Sequence, residues 1–305
     1  MTQKRYTKMK GHSLKAWFLA TRPWSFPASA MPVLVTLAYL QWLQRDVDWL
    51  VGLWALANVV LFHAAANTWS DYFDFKKGVD REDTVGGTSL TSGEFRPKEI
   101  FTLATVLMAL SVASGVLLLL CTGLPTLYIG LAGCLFILLY PWLKYHALGD
   151  VDIFITYSIL PILGTSYVAT GYFFLEVMWL TIPVGLITVG ILHINNTRDI
   201  EHDRRAGITT FAMLAGGTLS VLFYFFEILF PFVWVVYNIV YGFFPWWSLL
   251  VLIALVPAIA CLVRAVRFLS GGAEELYGVD EMTAKLQLVF SLLFTISFLV
   301  AGFLG

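Results

Sequence analysis

Uncharged stretches long enough to cross a bilayer dominate this chain. A helix needs about 20 apolar residues to traverse the hydrocarbon core, where every backbone N–H and C=O must be satisfied within the segment. Runs of that kind cover residues 24–43, 49–70 (interrupted only by His63), 153–175, 177–194 and 286–304. Residues 101–142 lack charge throughout and are about twice one span, with Gly123 and Pro125 marking a turn between two helices. Residues 211–263 hold a single acid, Glu227, and break near Tyr241–Pro245, which is again room for two helices. The pattern predicts an all-α integral membrane protein of about nine transmembrane helices. Composition agrees: only 13% of the 305 residues are charged, against about 25% in a soluble domain.

Lysine and arginine set the orientation. With nine spans, the N-terminal arm and the loops after helices 2, 4, 6 and 8 share one side. That side receives Lys4, Arg5, Lys8, Lys10, Lys15 and Arg22 and every later basic residue except Arg45. The opposite loops hold essentially Arg45, Asp46, Asp48 and Glu176. The basic side is therefore read as cytoplasmic, and residues 1–22 as a basic cytoplasmic arm on a single domain of residues 1–305. The arm lacks the apolar core and cleavage site of a secretory signal, so no cleavage is expected. The expected location is the cell (inner) membrane. The net charge of −1 gives no reason to expect a nucleic-acid partner. Cys121, Cys134 and Cys261 lie in apolar runs with no metal-ligand spacing, and read as small core residues.

Two acid-rich runs fall at the cytoplasmic ends of helices 2 and 6. In Asn67-Thr-Trp-Ser-Asp71-Tyr-Phe-Asp74-Phe-Lys-Lys-Gly78-Val-Asp80, a continuing helix puts Asn67, Asp71 and Asp74 on one face. In Asn195-Asn196-Thr-Arg198-Asp199-Ile-Glu-His-Asp203, Asp199 and Asp203 are one turn apart. Carboxylates at a membrane boundary are costly and mark a site. The negative ends of two helix dipoles add to their attraction for a cation. Facing acidic stripes suit Mg²⁺, which in turn favours phosphate oxygens. An allylic polyprenyl diphosphate fits both halves of such a protein, headgroup at the acidic mouth and tail between apolar helices. Lys144, in Tyr140-Pro-Trp-Leu-Lys144, and Arg198 lie on the same side, within reach of those oxygens. A secondary transporter is the alternative, but transporter acids sit near the bilayer midplane, whereas these fall at helix ends. His63 and His193 read as satisfied core or interface histidines.

These two runs resemble the signatures of the UbiA superfamily of intramembrane aromatic prenyltransferases, an NDxxDxxxD-type run and a later DxxxD. Asp71 and Asp74 match the first and Asp199 and Asp203 the second. Arg22-Pro-Trp-Ser-Phe-Pro-Ala-Ser-Ala-Met-Pro, Asp74–Asp80, Tyr140–Lys144 and Asn195–Gly207 look most like the menaquinone branch, the 1,4-dihydroxy-2-naphthoate prenyltransferases and their animal vitamin-K-forming relatives. The chain departs from the pattern in three places. Ser70 replaces the leading Asn, Gly78 stands where an aspartate is usual with Asp80 two residues later, and Ile208 occupies a common lysine position.

The resemblance implies helices around a central cavity with a capped cytoplasmic mouth. It implies Mg²⁺ held by Asn67, Asp71, Asp74, Asp80, Asn195, Asp199 and Asp203. Asp71, Asp74, Asp199, Asp203 and Lys144 are the catalytic candidates. The diphosphate falls to Lys144, Tyr140, Arg198, Arg22 and Asn67. The implied acceptor is 1,4-dihydroxy-2-naphthoate, prenylated with loss of its carboxyl group; 4-hydroxybenzoate, homogentisate, haem or a glycerol phosphate ether are the alternatives. The segment from Arg264 to Lys285 reads as a charged connection, lid or linker.

Overall fold

A computed structural model describes residues 12–80 and 89–304. Residues 1–11, which carry four of the basic residues of the expected arm, lie outside the described part. Among the described residues, eight helices are long and apolar enough to cross a membrane: α2 (Trp49–Lys77), α3 (Pro97–Thr122), α4 (Pro125–Tyr145), α5 (Gly149–Thr170), α6 (Leu175–Arg198), α7 (Gly217–Val240), α8 (Trp246–Gly271) and the last span, whose α-helix α9 is Val279–Leu304. A shorter apolar helix, α1 (Pro27–Trp42, 16 residues), precedes them. The protein is an all-helical multi-pass membrane protein, and about nine spans is the right reading of its runs.

The helix ends follow local chemistry. Pro at the first turn opens α1, α3 and α4, where its missing N–H costs nothing. The expected break between α3 and α4 is there, with Gly123 at φ 94°. The break after α7 falls at Gly242, and Glu227 lies inside that helix rather than near an end. The boundary that matters most for the site is in α2. The uncharged run ends at Ser70, but the helix continues to Lys77, so the first acidic run is helical from Asn67 through Lys77 and only Gly78–Asp80 lie beyond it.

α6 is the central helix: 67% of its apolar window is buried, against 11% for α4 on the periphery. It packs on α5, α7 and α9, and α1 packs on α9. The core between them is rich in aromatic rings, including Tyr39, Tyr224, Phe290, Phe294 and Phe298. Rows such as Val106, Leu110, Leu117 and Leu120 on α3 face outward, which is stable only where the surroundings are as apolar as they are. Gly185 brings α6 and α5 together. A Cβ there would lie 2.6 Å from the Phe154 ring and 2.8 Å from Ser158 Cβ. Beside that crossing, α5 contains a π-helical turn over Ile155–Ile159, and the extra residue turns both Thr156 and Tyr157 toward the interior cavities. Such turns recur at functional sites.

Candidate active site

The first acidic run is shaped by the end of α2. Thr68, Asp71 and Asp74 share its buried face, and Asp71 and Asp74 are only 2% and 4% exposed. Gly78 closes the helix in the left-handed region (φ 78°), a conformation that glycine adopts without a Cβ penalty. The chain then folds back, and the Val79 and Asp80 N–H groups both point to Asp74 O, at 2.9 and 3.3 Å. The departure noted in the sequence thus has a physical reason. Gly78 supplies the turn, and the turn returns Asp80 to the carboxylates before it.

The second run is made differently. α6 stops at Arg198, and Asp199 (φ −95°, ψ 10°) bends the chain into the short helix Ile200–Ala206. The Asp203 N–H still reaches Asp199 O at 2.9 Å, so the two acids remain one turn apart. Gly207 ends this helix, and Ile208 is buried directly after it. A pair of backbone hydrogen bonds, Ala147 N–H to Thr209 O (2.8 Å) and Thr209 N–H to Tyr145 O (3.0 Å), ties this segment to the end of α4. That tie carries Lys144 and Tyr145 to the acids.

The acids already hold cations. Arg22, at φ 56° before α1, pairs with Asp71. Lys144 Nζ donates to Asp74 Oδ2 at 2.8 Å, and Tyr145 OH to Asp74 Oδ1 at 2.7 Å. Arg198 bonds Asp199 through Nε (2.9 Å) and Nη2 (2.8 Å), bonds Asn195, and reaches Asp280 of α9 at 3.1 Å. Arg198, read from sequence as binding or orienting the diphosphate, is buried and bonded to two carboxylates and an amide, and locks α6 to α9. Asn67, a candidate for metal and diphosphate, lines the cavity below the acids, with its Nδ2 donating to Thr21 O and Ser25 Oγ, both at 2.9 Å. His63 is satisfied by Ser29 (2.9 Å) and Ser25 (3.3 Å), as its sequence context suggests.

The two runs face each other. Burial pushes the Asp80 carboxyl above its ordinary range, Asp74 adds to this, Lys144 and Arg22 oppose it, and Asp199 of the other run contributes. Burial likewise pushes Asp203 up to about 7; Lys144 opposes that, and Asp199, Asp74 and Asp80 add to it. Arg22 is held charged: burial alone would lower it, but Asp71, Asp80 and Asp74 together outweigh burial. Among the described residues, Asp80 Oδ2 and Asp203 Oδ2 are buried with no hydrogen-bond partner. Buried carboxylate oxygens are normally paired. Unpaired ones from two converging runs fit a hard divalent cation with oxygen ligands.

Beneath the acids lies a cavity of ≈ 290 Å³ lined by Arg22, Asn67, Tyr140, Tyr157 and Asn195, among others. Asp280, Glu281 and Gln287 close one wall, so the segment that reads as lid or linker contributes the start of α9 to the cavity itself. A second, mainly apolar cavity of ≈ 250 Å³ between α2, α3, α4 and α5 shares His63, Ile137, Thr156 and Tyr157 with the first. Several polar groups here, Tyr157 among them, were not found from sequence. Tyr145, Asp280 and Glu281 sit among charged or aromatic residues with ordinary explanations. Asp152, 3% exposed with an unpartnered Oδ1, lines the cavity too.

The UbiA prenyltransferase family profile matches residues 29–275. The chain is 37% identical over 215 residues to the UbiA prenyltransferase domain-containing protein 1 of Danio rerio, covering 68% of this chain and 64% of that protein's length. A digeranylgeranylglyceryl phosphate synthase structure superposes with a TM-score of 0.63 at 19% identity, over 94% of this chain and 99% of that one. A UbiA homologue from Archaeoglobus fulgidus bound to DMAPP and Mg²⁺ superposes with a TM-score of 0.58 at 11% identity, over 92% and 99%. The helix arrangement and the matched sequence agree: this chain belongs to the UbiA prenyltransferase family.

Proposed function

We propose that this protein is a Mg²⁺-dependent prenyltransferase that moves a polyprenyl group from its allylic diphosphate to an aromatic acceptor. The observation that carries this reading is the junction of two unlike spaces. Buried acids with unpaired oxygens stand over a polar cavity that shares His63, Ile137, Thr156 and Tyr157 with an adjoining apolar one. A diphosphate headgroup suits the first and an isoprenoid chain the second. The Archaeoglobus homologue with DMAPP and Mg²⁺ supports the same assignment for this fold.

Asp71, Asp74, Asp80, Asp199 and Asp203 would hold Mg²⁺, which supplies charge to stabilise the departing diphosphate. Asn195 faces the cavity at their edge. Arg22 and Lys144, already beside the acids, add positive charge where negative charge develops as the allylic C–O bond breaks. Tyr140 and Tyr157 offer ring faces to the allylic cation. The acceptor's ring carbon then forms the new C–C bond. With 1,4-dihydroxy-2-naphthoate that carbon loses its carboxyl group as CO₂, a step of menaquinone biosynthesis. Asp152, beside both tyrosines on the cavity wall, is placed to take a hydrogen bond from an acceptor hydroxyl. 4-Hydroxybenzoate, homogentisate, haem or a glycerol phosphate ether are the alternative acceptors, which the assay below separates. In the same reading residues 1–305 form one domain in a cell membrane, with the arm and the acidic mouth on the cytoplasmic side. Arg22, Lys144 and Asp80 at one end, and the Arg45–Glu176 pair at the other, fit that orientation.

The test uses purified protein in detergent with geranylgeranyl diphosphate, 1,4-dihydroxy-2-naphthoate and Mg²⁺, followed by mass spectrometry. A prenylated, decarboxylated product that requires Mg²⁺ and Asp71 and Asp199 is expected. Product with a different phenol alone would move the acceptor; no turnover with any acceptor would sink the reading.

A further inference from the structure

On the side of α6 away from the cavity, His193 is fully buried between two carboxylates from different helices. Its Nδ1 lies 2.8 Å from Glu227 Oε1 on α7 and 3.4 Å from Asp150 Oδ2 at the start of α5. One ring nitrogen carries at most one hydrogen, so it cannot satisfy both acids. The remaining atoms are no better served. Among the described residues, Asp150 Oδ1, Glu227 Oε2 and His193 Nε2 are buried without a hydrogen-bond partner. Glu227 is only 6% exposed, and its Oε2 rests against α6 at Gly190, where a Cβ would come within 3.5 Å. Phe211 stands edge-on to the imidazole with ring centroids 5.6 Å apart, and Phe223 lies on another side. Two carboxylates and an imidazole in such surroundings are costly unless their charge is matched.

We propose that Asp150, His193 and Glu227 form a binding site for a first-row divalent transition metal, Zn²⁺ being the natural probe, separate from the acidic mouth. The three ligand atoms all lie within 4.8 Å of one another. Tetrahedral bonds of about 2.0–2.2 Å place ligand atoms about 3.3 Å apart, so only small side-chain shifts separate this cluster from a bound state. A divalent cation neutralises both carboxylates with the imidazole neutral, and relieves Asp150 Oδ2 and Glu227 Oε1 of sharing one ring hydrogen. The mixed nitrogen and oxygen donor set favours a transition metal over Mg²⁺. Asp150, 13% exposed at its side chain, provides the way in. Such an ion would staple α5, α6 and α7 behind the helix face that presents Leu192 and Asn195 to the cavity.

The experiment measures metal content, independently of turnover. Full-length protein in detergent is stripped with a chelator, equilibrated with Zn²⁺ in excess Mg²⁺, desalted and analysed by plasma mass spectrometry. About one retained zinc per chain is expected in the wild type and in Asp71→Asn/Asp199→Asn, whose mouth is impaired. Glu227→Gln and His193→Gln should each retain less than a tenth of it. Zinc-edge X-ray absorption of the wild type should show imidazole nitrogen in the first shell. No stoichiometric zinc in the wild type would overturn the proposal, as would unchanged retention in both variants. If the variants do not fold, the wild-type absorption spectrum decides, and a shell without imidazole rejects the site.

Discussion

The two acidic runs use the same residue types, yet the fold treats them differently. In the first, Asp71 and Asp74 are already matched, by Arg22 and by Lys144 with Tyr145. Asp71 Oδ1 meets only the Arg22 guanidinium, while Asp80 Oδ2 is buried with neither an ion pair nor a hydrogen bond among the described residues. In the second, Asp199 is matched by Arg198, while Asp203 keeps the unpartnered oxygen. Each run thus pairs positioned acids with one unsatisfied acid. The matched acids fix the geometry of the mouth, and the unsatisfied ones define where positive charge is missing. A motif read as a row of equivalent ligands is, in three dimensions, a division of labour.

Removing an unsatisfied acid is the strongest way to break this comparison. Asp203→Asn keeps the shape and loses the charge, and should lower prenyl transfer by ~10²–10³, the scale of losing one electrostatic stabiliser. It should also raise the Mg²⁺ concentration needed for half-maximal rate. A Mg²⁺ titration indistinguishable from wild type would show that Asp203 is not a cation ligand. Arg198→Ala probes a matched acid instead. Arg198 acts through Asp199, Asn195 and Asp280, so its loss should cost ~10–100-fold, as for other groups that orient metal ligands. The loss should fall mainly on Mg²⁺ affinity. A loss confined to the KM for the prenyl diphosphate would instead restore the arginine as a direct substrate ligand.

A pH experiment sharpens the same contrast without changing the substrate. Metal-free, Asp203 is pushed from its ordinary 3.8 up to about 7 by burial, with Lys144 opposing and its neighbouring acids adding. Between those values the folded protein binds more protons than the unfolded chain, so Asp203 makes stability fall as pH rises from about 4 to about 7. The thermal midpoint of chelator-treated wild type should therefore drop more between about pH 4.5 and about pH 6.5 (about one unit either side of the midpoint of that loss) than that of Asp203→Asn. Saturating Mg²⁺ should remove most of the difference. Equal slopes in both proteins would mean that Asp203 is not the buried acid responsible.

Much of the fold was legible because bilayer crossing leaves so few options. The runs at 49–70, 101–142 and 177–194 each became the expected helices. Their ends were less readable, since Lys76 and Lys77 are charged yet extend α2 up to Gly78. Asp71, Asp74, Asp199 and Asp203 were visible through their spacing, which is a local property of one helix face. What sequence could not supply was pairing across the fold. Arg198 looked like a basic residue near an anion site, and only the packing of α6 on α9 shows that Asp280 claims it. His193 looked like a core histidine, and its two acids arrive from positions 150 and 227. Asp152 lies one residue before a run read as plain membrane helix, and burial alone distinguishes it.

The smallest expected effect falls on the group that the sequence concealed best. Tyr145 ends α4 as one aromatic among several, but its hydroxyl donates to the second oxygen of Asp74 at 2.7 Å, opposite Lys144. Tyr145→Phe removes that hydrogen bond and leaves the ring and the backbone tie to Thr209 in place. A single hydrogen bond contributes about 1 kcal/mol net, or about fivefold, and one to a charged acceptor somewhat more. If Asp74 is a matched acid whose orientation matters, kcat should fall by about that factor with thermal stability nearly unchanged. Lys144→Gln in the Tyr145→Phe background should then cost more than the two single losses multiplied, because Asp74 would have neither partner. Strict multiplicativity would mean that the two groups act on Asp74 independently, and the first run would then be no more tightly positioned than the second.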